Sequence, residues 1–204
     1  MAARLSTVHR GVAFEQRSLD ILQSHLSMSL RKVGGKSDGG IDLQGWWWLP
    51  PRSNGSAAVL TGQDGKTRRR LRVFGQCKAE KKKMGPNYVR EMEGVLHRHF
   101  ATPDQPVVAL LVSQSAFTRS TILRAFSSSI PFFLLHLPRL SEKGDGLPEA
   151  PEADDAEHGL GAAIWNPALG GEEGLLGGEI EVRWERSLNF EGGRPGLWWK
   201  GKRL

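Results

Sequence analysis

The chain has 204 residues, 39% hydrophobic and 25% charged, so we expect a buried core and exclude wholesale disorder. Its single cysteine excludes a disulfide framework, and its six histidines lack the spacing of a structural zinc site. The longest apolar run, residues 130–137, is far shorter than the roughly 18 residues that cross a bilayer, so we expect no membrane span.

Positive charge is concentrated in the first two thirds of the chain. Residues 1–140 contain 21 Lys and Arg against 9 Asp and Glu, a net charge of +12, whereas residues 141–204 contain 7 against 13, a net charge of −6. A basic surplus of this size favours nucleic acid as the partner, with a solvated basic surface as the alternative. We expect a basic domain at 1–140, an acidic linker at 141–159 and an extension at 160–204 that docks on the domain.

The first predicted element is a long amphipathic helix. One apolar stripe with helical spacing is formed by Val8, Val12, Leu19, Leu22, Leu26 and Leu30. Glu15 lies on the same stripe. Because an unpaired buried carboxylate is costly, we expect Glu15 either to meet a cation, a metal ion or a fixed donor, or to reach water at the edge of the stripe.

Two strands are predicted after this helix. Residues 41–49 alternate so that Ile41 and Leu43 share one face and Asp42 lies on the other. In residues 71–78, Gln76 and Lys78 project from the same side of the strand. Cys77 lies on the opposite side and is expected in the core. The polar, glycine-containing connection between the two strands indicates a hairpin.

Helical and strand patterns alternate through the rest of the basic part. Helices are predicted at 88–100 and 118–126, and buried strands at 107–112 and 132–137. Strands flanked by helices predict an α/β fold with a three-layer α/β/α arrangement and a central mixed sheet. Residues 178–184 alternate like an edge strand.

The residues on the two central strands suit metal-assisted phosphodiester hydrolysis. Asp42, the side-chain carbonyl of Gln76 and the backbone carbonyl of Cys77 are oxygen donors of the kind that Mg²⁺ or Mn²⁺ binds. Lys78 would lie beside the metal ion, where it can orient the attacking water and stabilise charge on the phosphate. Glu15 is expected to complete the site. A Gln-x-Lys pair alone is more often solvated, so the prediction depends on the combination.

Basic residues flank this predicted site in the sequence. The candidates for phosphate contacts are Lys36, Arg68, Arg69, Arg70, Lys81, Lys82 and Lys83. The neighbouring tryptophans at 46–48 can stack on bases, but an aromatic run on a strand more often fills a core.

Four segments resemble a known nuclease domain. They are G-x-S-D-G-G-I-D-L-x-G at 35–45, Q-C-K at 76–78, V-R-E-M-E-G at 89–94 and S-Q-S-A-F-T at 113–118. Together they resemble the Mrr-type restriction endonuclease domain of the PD-(D/E)xK nuclease superfamily, over residues 11–137. With W-W-W-L-P at 46–50, the chain is most similar to the fungal mitochondrial required for respiratory growth protein 7 family.

The resemblance implies a restriction-endonuclease-like fold and a metal-dependent DNA endonuclease that acts in mitochondrial DNA maintenance and respiratory growth. It matches Asp42 to the motif aspartate, Lys78 to the motif lysine and Glu15 to the acidic residue of the first helix. Gln76 takes the place usually held by Glu, which removes one negative charge from the metal site. Mrr-like members also carry Gln at this position.

Two other functions stay open. One is a catalytically silent nuclease-fold protein that binds nucleic acid. The other is a respiratory-chain assembly factor that binds no nucleic acid. DNA is the expected partner of the endonuclease, and a homodimer is left open. Residues 1–14 contain two arginines and no acid but are too short to count as a mitochondrial presequence, so the mitochondrial localisation depends on the resemblance. The acidic residues 142–157 are a candidate autoinhibitory segment for the basic cleft.

Overall fold

The computed structural model describes residues 7–33, 40–53, 60–61, 65–99, 106–139, 161–187 and 190–204. Within these ranges the helices are α1 (Thr7–His25), α2 (Asn87–His99), α3 (Arg119–Phe126) and α4 (Pro167–Gly170). The strands are β1 (Met28–Lys32), β2 (Leu43–Leu49), β3 (Leu60–Thr61), β4 (Thr67–Lys78), β5 (Val107–Ser113), β6 (Phe132–His136), β7 (Ala162–Trp165), β8 (Ile180–Ser187), β9 (Phe190–Trp199) and β10 (Lys202–Arg203). Lys36 and the predicted linker at 141–159 lie outside the described residues.

The larger sheet has seven strands in the order β1-β2-β4-β5-β6-β7, with β3 paired to β4. β4, β5 and β6 run parallel to one another, whereas β1, β2, β3 and β7 pair antiparallel with their neighbours. This mixed sheet with flanking helices confirms the predicted α/β class. The finer three-layer, restriction-endonuclease-like assignment stays a prediction. Strands β8, β9 and β10 form a second, antiparallel sheet.

The first helix ends earlier than its apolar spacing predicted. α1 stops at His25, Ser27 adopts a positive φ of 54°, and β1 then begins at Met28. Leu30 therefore lies in a strand. Its spacing of two from Met28 fits a strand, although its spacing of four from Leu26 also fits a helix. Val12 is also displaced from the predicted stripe, with 51% of its surface exposed.

The predicted face of Ile41 is wrong. Strand β2 begins at Leu43, and Ile41 precedes it while the chain is still turning out of Gly40, whose φ is +84°. Ile41 packs in a cluster with residues of α2 and α3, whereas Leu43 packs in a cluster with residues of α1. Strict alternation therefore applies only from Leu43 onward.

Apolar side chains form two clusters. The first, here called the α1 cluster, joins α1 to alternate residues of β1, β2 and β4 and includes Leu169, Leu176, Ile180 and Leu197 from the end of the chain. The second, the α2 cluster, joins α2 and α3 to the sheet. Every residue of β5 is buried, as expected for a strand covered on both faces.

The end of the chain packs onto this sheet. β7 extends the sheet at the β6 edge, and the buried Asn166 that follows it ties the chain to the end of α3. The Asn166 side-chain amide donates to the carbonyls of Ala125, Ser128 and Ile130, at 2.7–3.1 Å. Across the described ranges, no helix is both long enough and apolar enough to cross a membrane.

Candidate active site

Asp42 is fixed at the end of the ladder between β2 and β4. Its backbone N–H donates to the carbonyl of Gly75 at 2.8 Å, and its Oδ2 accepts the backbone N–H of Cys77 at 2.7 Å. The Asp42 carboxylate thus accepts the Cys77 N–H in the place of a backbone carbonyl of the neighbouring strand. A carboxylate held by a backbone donor has a defined position at the end of β4.

Gln76 precedes Cys77 on β4, is buried, and makes one side-chain contact with α2. Only 2% of its surface is exposed, and its Nε2 donates to Oε1 of Glu91 at 3.3 Å. The amide nitrogen of Gln76 must face the Glu91 carboxylate, because that carboxylate would repel the amide oxygen. The Gln76 Oε1 is buried and has no hydrogen-bond partner among the described residues. A buried oxygen left without a partner costs about 1–3 kcal/mol, so Oε1 is suited to accept a ligand.

Gly40 lies against this pair of side chains. A Cβ atom at this position would be 3.0 Å from Gln76 Nε2 and 3.0 Å from Glu91 Oε1, and the positive φ of +84° also favours glycine. Gly40 can therefore approach the polar pair closely. Glu91 is not among the predicted site residues. The sequence signal for it is its place in V-R-E-M-E-G, but the rotation of α2 that brings it to Gln76 is set by packing.

Lys78 lies near the start of α2. Its Nζ is 5.3 Å from the ring centroid of Tyr88, and the Tyr88 hydroxyl donates to Oε1 of Glu80 at 2.7 Å. The bond to Glu80 is the main cause that raises the pKa of Tyr88 to about 12. A cleft of about 520 Å³ opens at this end of β4. Its lining residues are Arg10, Gly11, Cys77, Lys78, Ala79, Glu80, Lys81 and Lys82.

Glu15 meets a cation, which is one of its two expected environments. Its Oε2 lies 3.2 Å from Nζ of Lys32 on β1. Cys77, next to Gln76, is buried in the α1 cluster as expected. Burial raises the pKa of the Cys77 thiol, and the charges of Asp42 and Glu15 raise it further. The charges of Asp42 and Glu15 therefore both act on the Cys77 thiol.

The oxygen donors at this point fit a small divalent cation better than zinc. In the part of the chain that the structure describes, no group of three or more His, Cys, Asp or Glu side chains is arranged to hold a metal ion. The oxygen donors at the end of β4 are the Asp42 carboxylate, of which Oδ2 is held by the Cys77 N–H, the Gln76 Oε1 and the backbone carbonyl of Cys77. Mg²⁺ accepts such a sparse oxygen set because it keeps several of its waters.

Arg69 is a correction to the predicted phosphate contacts. It is buried, with 5% of its surface exposed, and burial lowers its pKa. Its Nε donates to the carbonyl of Pro50 at 3.0 Å and its Nη1 to that of Leu175 at 2.8 Å. Strand alternation turns Arg69 inward, so it cannot reach a phosphate. Its neighbour Arg70 and the lysines at 81–83 are exposed.

The geometry and fold define an α/β protein with an acid, an amide and a lysine at the end of two neighbouring strands. The family model described as required for respiratory growth protein 7 matches residues 6–164. The chain belongs to this family, which confirms the predicted closeness to it.

Two fungal relatives are similar to the chain. An uncharacterized mitochondrial protein of Schizosaccharomyces pombe is 30% identical over 132 residues, which cover 65% of this chain and 46% of that protein. The mitochondrial required for respiratory growth protein 7 of Saccharomyces cerevisiae is 29% identical over 168 residues, with 69% of each chain covered. Less than half of the S. pombe relative is therefore matched. No solved structure matches the chain.

Both relatives are named as mitochondrial proteins, which supports the mitochondrial localisation expected from the resemblance. The name of the S. cerevisiae relative also fits the expected role in respiratory growth.

Proposed function

We propose that the chain is a metal-dependent nuclease that hydrolyses phosphodiester bonds of DNA in mitochondria. The observation that carries the proposal is the buried, unpartnered Gln76 Oε1, next to the point where Asp42 is fixed at the end of the strand ladder. A buried polar atom in that state is suited to accept a hydrogen bond from a water or to bind an ion. The name of the S. cerevisiae relative supports a role of this activity in respiratory growth.

The side chains around this point have distinct tasks in such a reaction. A bound Mg²⁺ or Mn²⁺ supplies polarisation of the phosphate and of an attacking water. The Cys77 N–H holds one oxygen of Asp42, which orients the carboxylate toward the site. The ammonium of Lys78 stabilises negative charge on the phosphate and orients the water. Glu91 holds the amide of Gln76 so that its oxygen stays available.

Glu91 also affects the net charge of the site, because Gln76 is neutral. A glutamine in place of a glutamate removes one negative charge from the site. The carboxylate of Glu91, 3.3 Å from Gln76 Nε2, restores a negative charge one side chain further from the ladder. This arrangement supports a working site in which Gln76 and Glu91 act as a pair.

The catalytically silent alternative is favoured by a different contact. Glu15 is paired with Lys32 at 3.2 Å, so its carboxylate is already partly neutralised. A protein of this kind would keep the basic surface and bind nucleic acid without cleaving it. The assembly-factor alternative predicts no salt-dependent binding of DNA at all.

The test is cleavage of plasmid, branched and single-stranded DNA by the full chain with Mg²⁺ or Mn²⁺. We expect Asp42→Asn and Lys78→Ala to lower the rate by about 100-fold or more, because each removes a group that acts on the reacting phosphate or water. Glu91→Gln should weaken Mn²⁺ binding, which electron paramagnetic resonance measures without any turnover. Matched controls are Glu173→Gln and Lys202→Ala, two exposed residues in the last part of the chain.

The outcomes separate the three functions. Equal cleavage by wild type, Asp42→Asn and Lys78→Ala would identify a contaminating nuclease. No cleavage by any of them, with salt-dependent DNA binding retained, would favour the silent nucleic-acid-binding protein. Absence of both cleavage and salt-dependent binding would leave the assembly factor.

A further inference from the structure

One face of β1, β2 and β4 carries aromatic and cationic side chains. On β2 the buried residues Leu43, Trp47 and Leu49 point to the α1 cluster, so Trp46 and Trp48 project from the opposite face. The strand register adds neighbours to each of them. The cross-strand pairs on this face are Ser29 with Trp46, Trp46 with Arg72, Trp48 with Arg70, and Arg31 with Gln44.

Two guanidinium groups stack on the ring of Trp46. The guanidinium carbon of Arg70 is 4.0 Å from the ring centroid and that of Arg72 is 5.0 Å from it. Arg72 also donates to the Gln44 side-chain carbonyl at 3.3 Å. Within the described ranges, no carboxylate forms an ion pair with either arginine. The stack therefore has fixed planar groups and a positive charge that no carboxylate of the described residues pairs with.

We propose that this face binds single-stranded nucleic acid, with Trp46, Arg70 and Arg72 as the stacking platform. The proposal deepens the proposed function by naming the substrate class, and its link to cleavage rests on that function.

Charge and shape both favour this ligand. The residues of the face named above include three arginines and no acid, so they complement a polyanion. A planar guanidinium or indole can stack on any base that is free of its complement, whereas the bases of a duplex are already stacked and paired. A cleft of about 500 Å³ adjoins the platform and is lined in part by Arg31, Gln44, Trp46 and Arg72. This volume lies in the usual range for small ligand sites and accommodates a base.

The platform lies on the same face of β4 as the candidate active site. Arg70, Arg72, Phe74, Gln76 and Lys78 alternate along β4 and share one face of the strand. Four residues separate Arg72 from Gln76, which is about 13 Å along a strand. Phe74 and Gln76 are buried, so a single strand bound to the platform lies on the same side of the sheet as the candidate site but does not follow β4 to it.

An acidic segment of the same chain is the competing occupant. Residues 141–159 contain seven Asp and Glu and one Lys, so their charge also complements the face. They contain no Phe, Tyr or Trp to stack on the planar groups of the platform. Nucleic acid matches both the charge and the planar groups, which is why we infer it as the ligand.

The experiment measures binding of a fluorescent single-stranded oligonucleotide by anisotropy, in EDTA and over a series of salt concentrations. We expect Trp46→Leu to weaken binding about tenfold with an unchanged salt slope, because it removes stacking and no charge. The Arg70→Gln/Arg72→Gln double variant should weaken binding by at least about tenfold. It should also reduce the salt slope by about 1.4, since about 0.7 is expected per phosphate contact on a single strand.

The second sheet supplies a matched control. Arg183 stacks on Trp198 at 4.4 Å, so Arg183→Gln removes a similar stack far along the chain from β4. It should leave the affinity unchanged. Arg70→Lys keeps the charge but loses the planar group, so it should retain the salt slope and lose part of the affinity. Thermal unfolding of each variant verifies that it is folded.

Three results would overturn the proposal. They are tighter binding to a duplex of equal length, unchanged affinity in the folded Trp46→Leu and double-arginine variants, and an equal loss in Arg183→Gln. The proposal also fails if the full chain binds single-stranded nucleic acid only after the seven acidic residues of 141–159 are changed to amides. In that case the acidic segment is the ligand of this face. Platform binding by the wild type, with no cleavage by the wild type in Mg²⁺ or Mn²⁺, would contradict the proposed hydrolysis and leave the platform intact.

Discussion

Trp46 and Trp47 are neighbours in the sequence, but their side chains project from opposite faces of the central sheet. Trp47 is fully buried, and its ring stacks on Phe133 with centroids 5.6 Å apart and an interplanar angle of 10°. Trp46 is partly exposed and is covered by two arginine side chains. α1 contacts β1 and β4 on the face of Trp47, whereas α2 contacts β5.

The same contrast continues along β4. Arg69 is buried and binds backbone carbonyls, whereas Arg70 next to it is exposed. Further along, Cys77 is in the α1 cluster while Gln76 contacts Glu91. Packing thus determines the residues of one face. The other face, at β2 and β4, has polar contacts that suit a ligand.

The strongest test of this contrast is the pair Trp47→Ala and Trp46→Ala. Trp47→Ala removes a fully buried ring and leaves a cavity against Phe133, so we expect it to lower the free energy of unfolding by about 3–5 kcal/mol. Trp46→Ala should cost less than about 1 kcal/mol, because its site is open to water and can relax. Urea denaturation followed by circular dichroism measures both values.

A control keeps this test specific to packing. Trp47→Phe retains much of the ring volume and should cost less than Trp47→Ala. Equal losses in Trp46→Ala and Trp47→Ala would show that both faces are packed alike, and the contrast between them would then be lost.

A smaller effect is expected from the pair Arg69→Ala and Arg70→Ala. Arg69→Ala leaves the carbonyls of Pro50 and Leu175 without their donors, so we expect a loss of about 2–3 kcal/mol in the free energy of unfolding. Arg70→Ala should change it by less than about 0.5 kcal/mol, since Arg70 is exposed. Thermal and urea unfolding compare the two variants, and a larger loss in Arg70→Ala would contradict the inward direction of Arg69.

Much of the sheet could be predicted from the sequence, because its strands carry strong local patterns. The continuous apolar run of β5 and the alternation in β4 depend only on neighbouring residues. β5 occurs close to its predicted bounds, whereas β4 begins four residues before its predicted start, at Thr67. β1 was not predicted, because Leu30 also fits the spacing of the preceding helix. The left-handed turn at Ser27 that separates the two elements has no glycine to signal it.

The candidate site was less accessible to prediction. Gln76 and Lys78 were proposed from strand alternation and motif spacing, whereas the alternation used for Asp42 fails before Leu43, and the contacts of all three depend on tertiary structure. Glu91 reaches Gln76 only because α2 packs against the sheet with one particular rotation, which helical periodicity does not specify. The burial of Arg69 depends on Leu175, 106 residues away. Local patterns carry no information on either contact.

The smallest expected effect concerns electrostatics on the polar face, beside Lys78. Tyr88 is the only tyrosine of the chain, so the ultraviolet absorbance of its phenolate reports this one residue. Its bond to Glu80 raises its pKa to about 12, above the ordinary value of about 10. Because the pKa is raised in the folded state, the stabilising contribution of this bond is fully present below about pH 10 and is lost as the pH rises through about 12. We expect Glu80→Gln to move the titration of Tyr88 toward its ordinary pKa, while the remote Glu173→Gln leaves it in place. Identical titrations in both variants would mean that Glu80 does not hold Tyr88, and that the position of Lys78 over its ring must be fixed by other contacts.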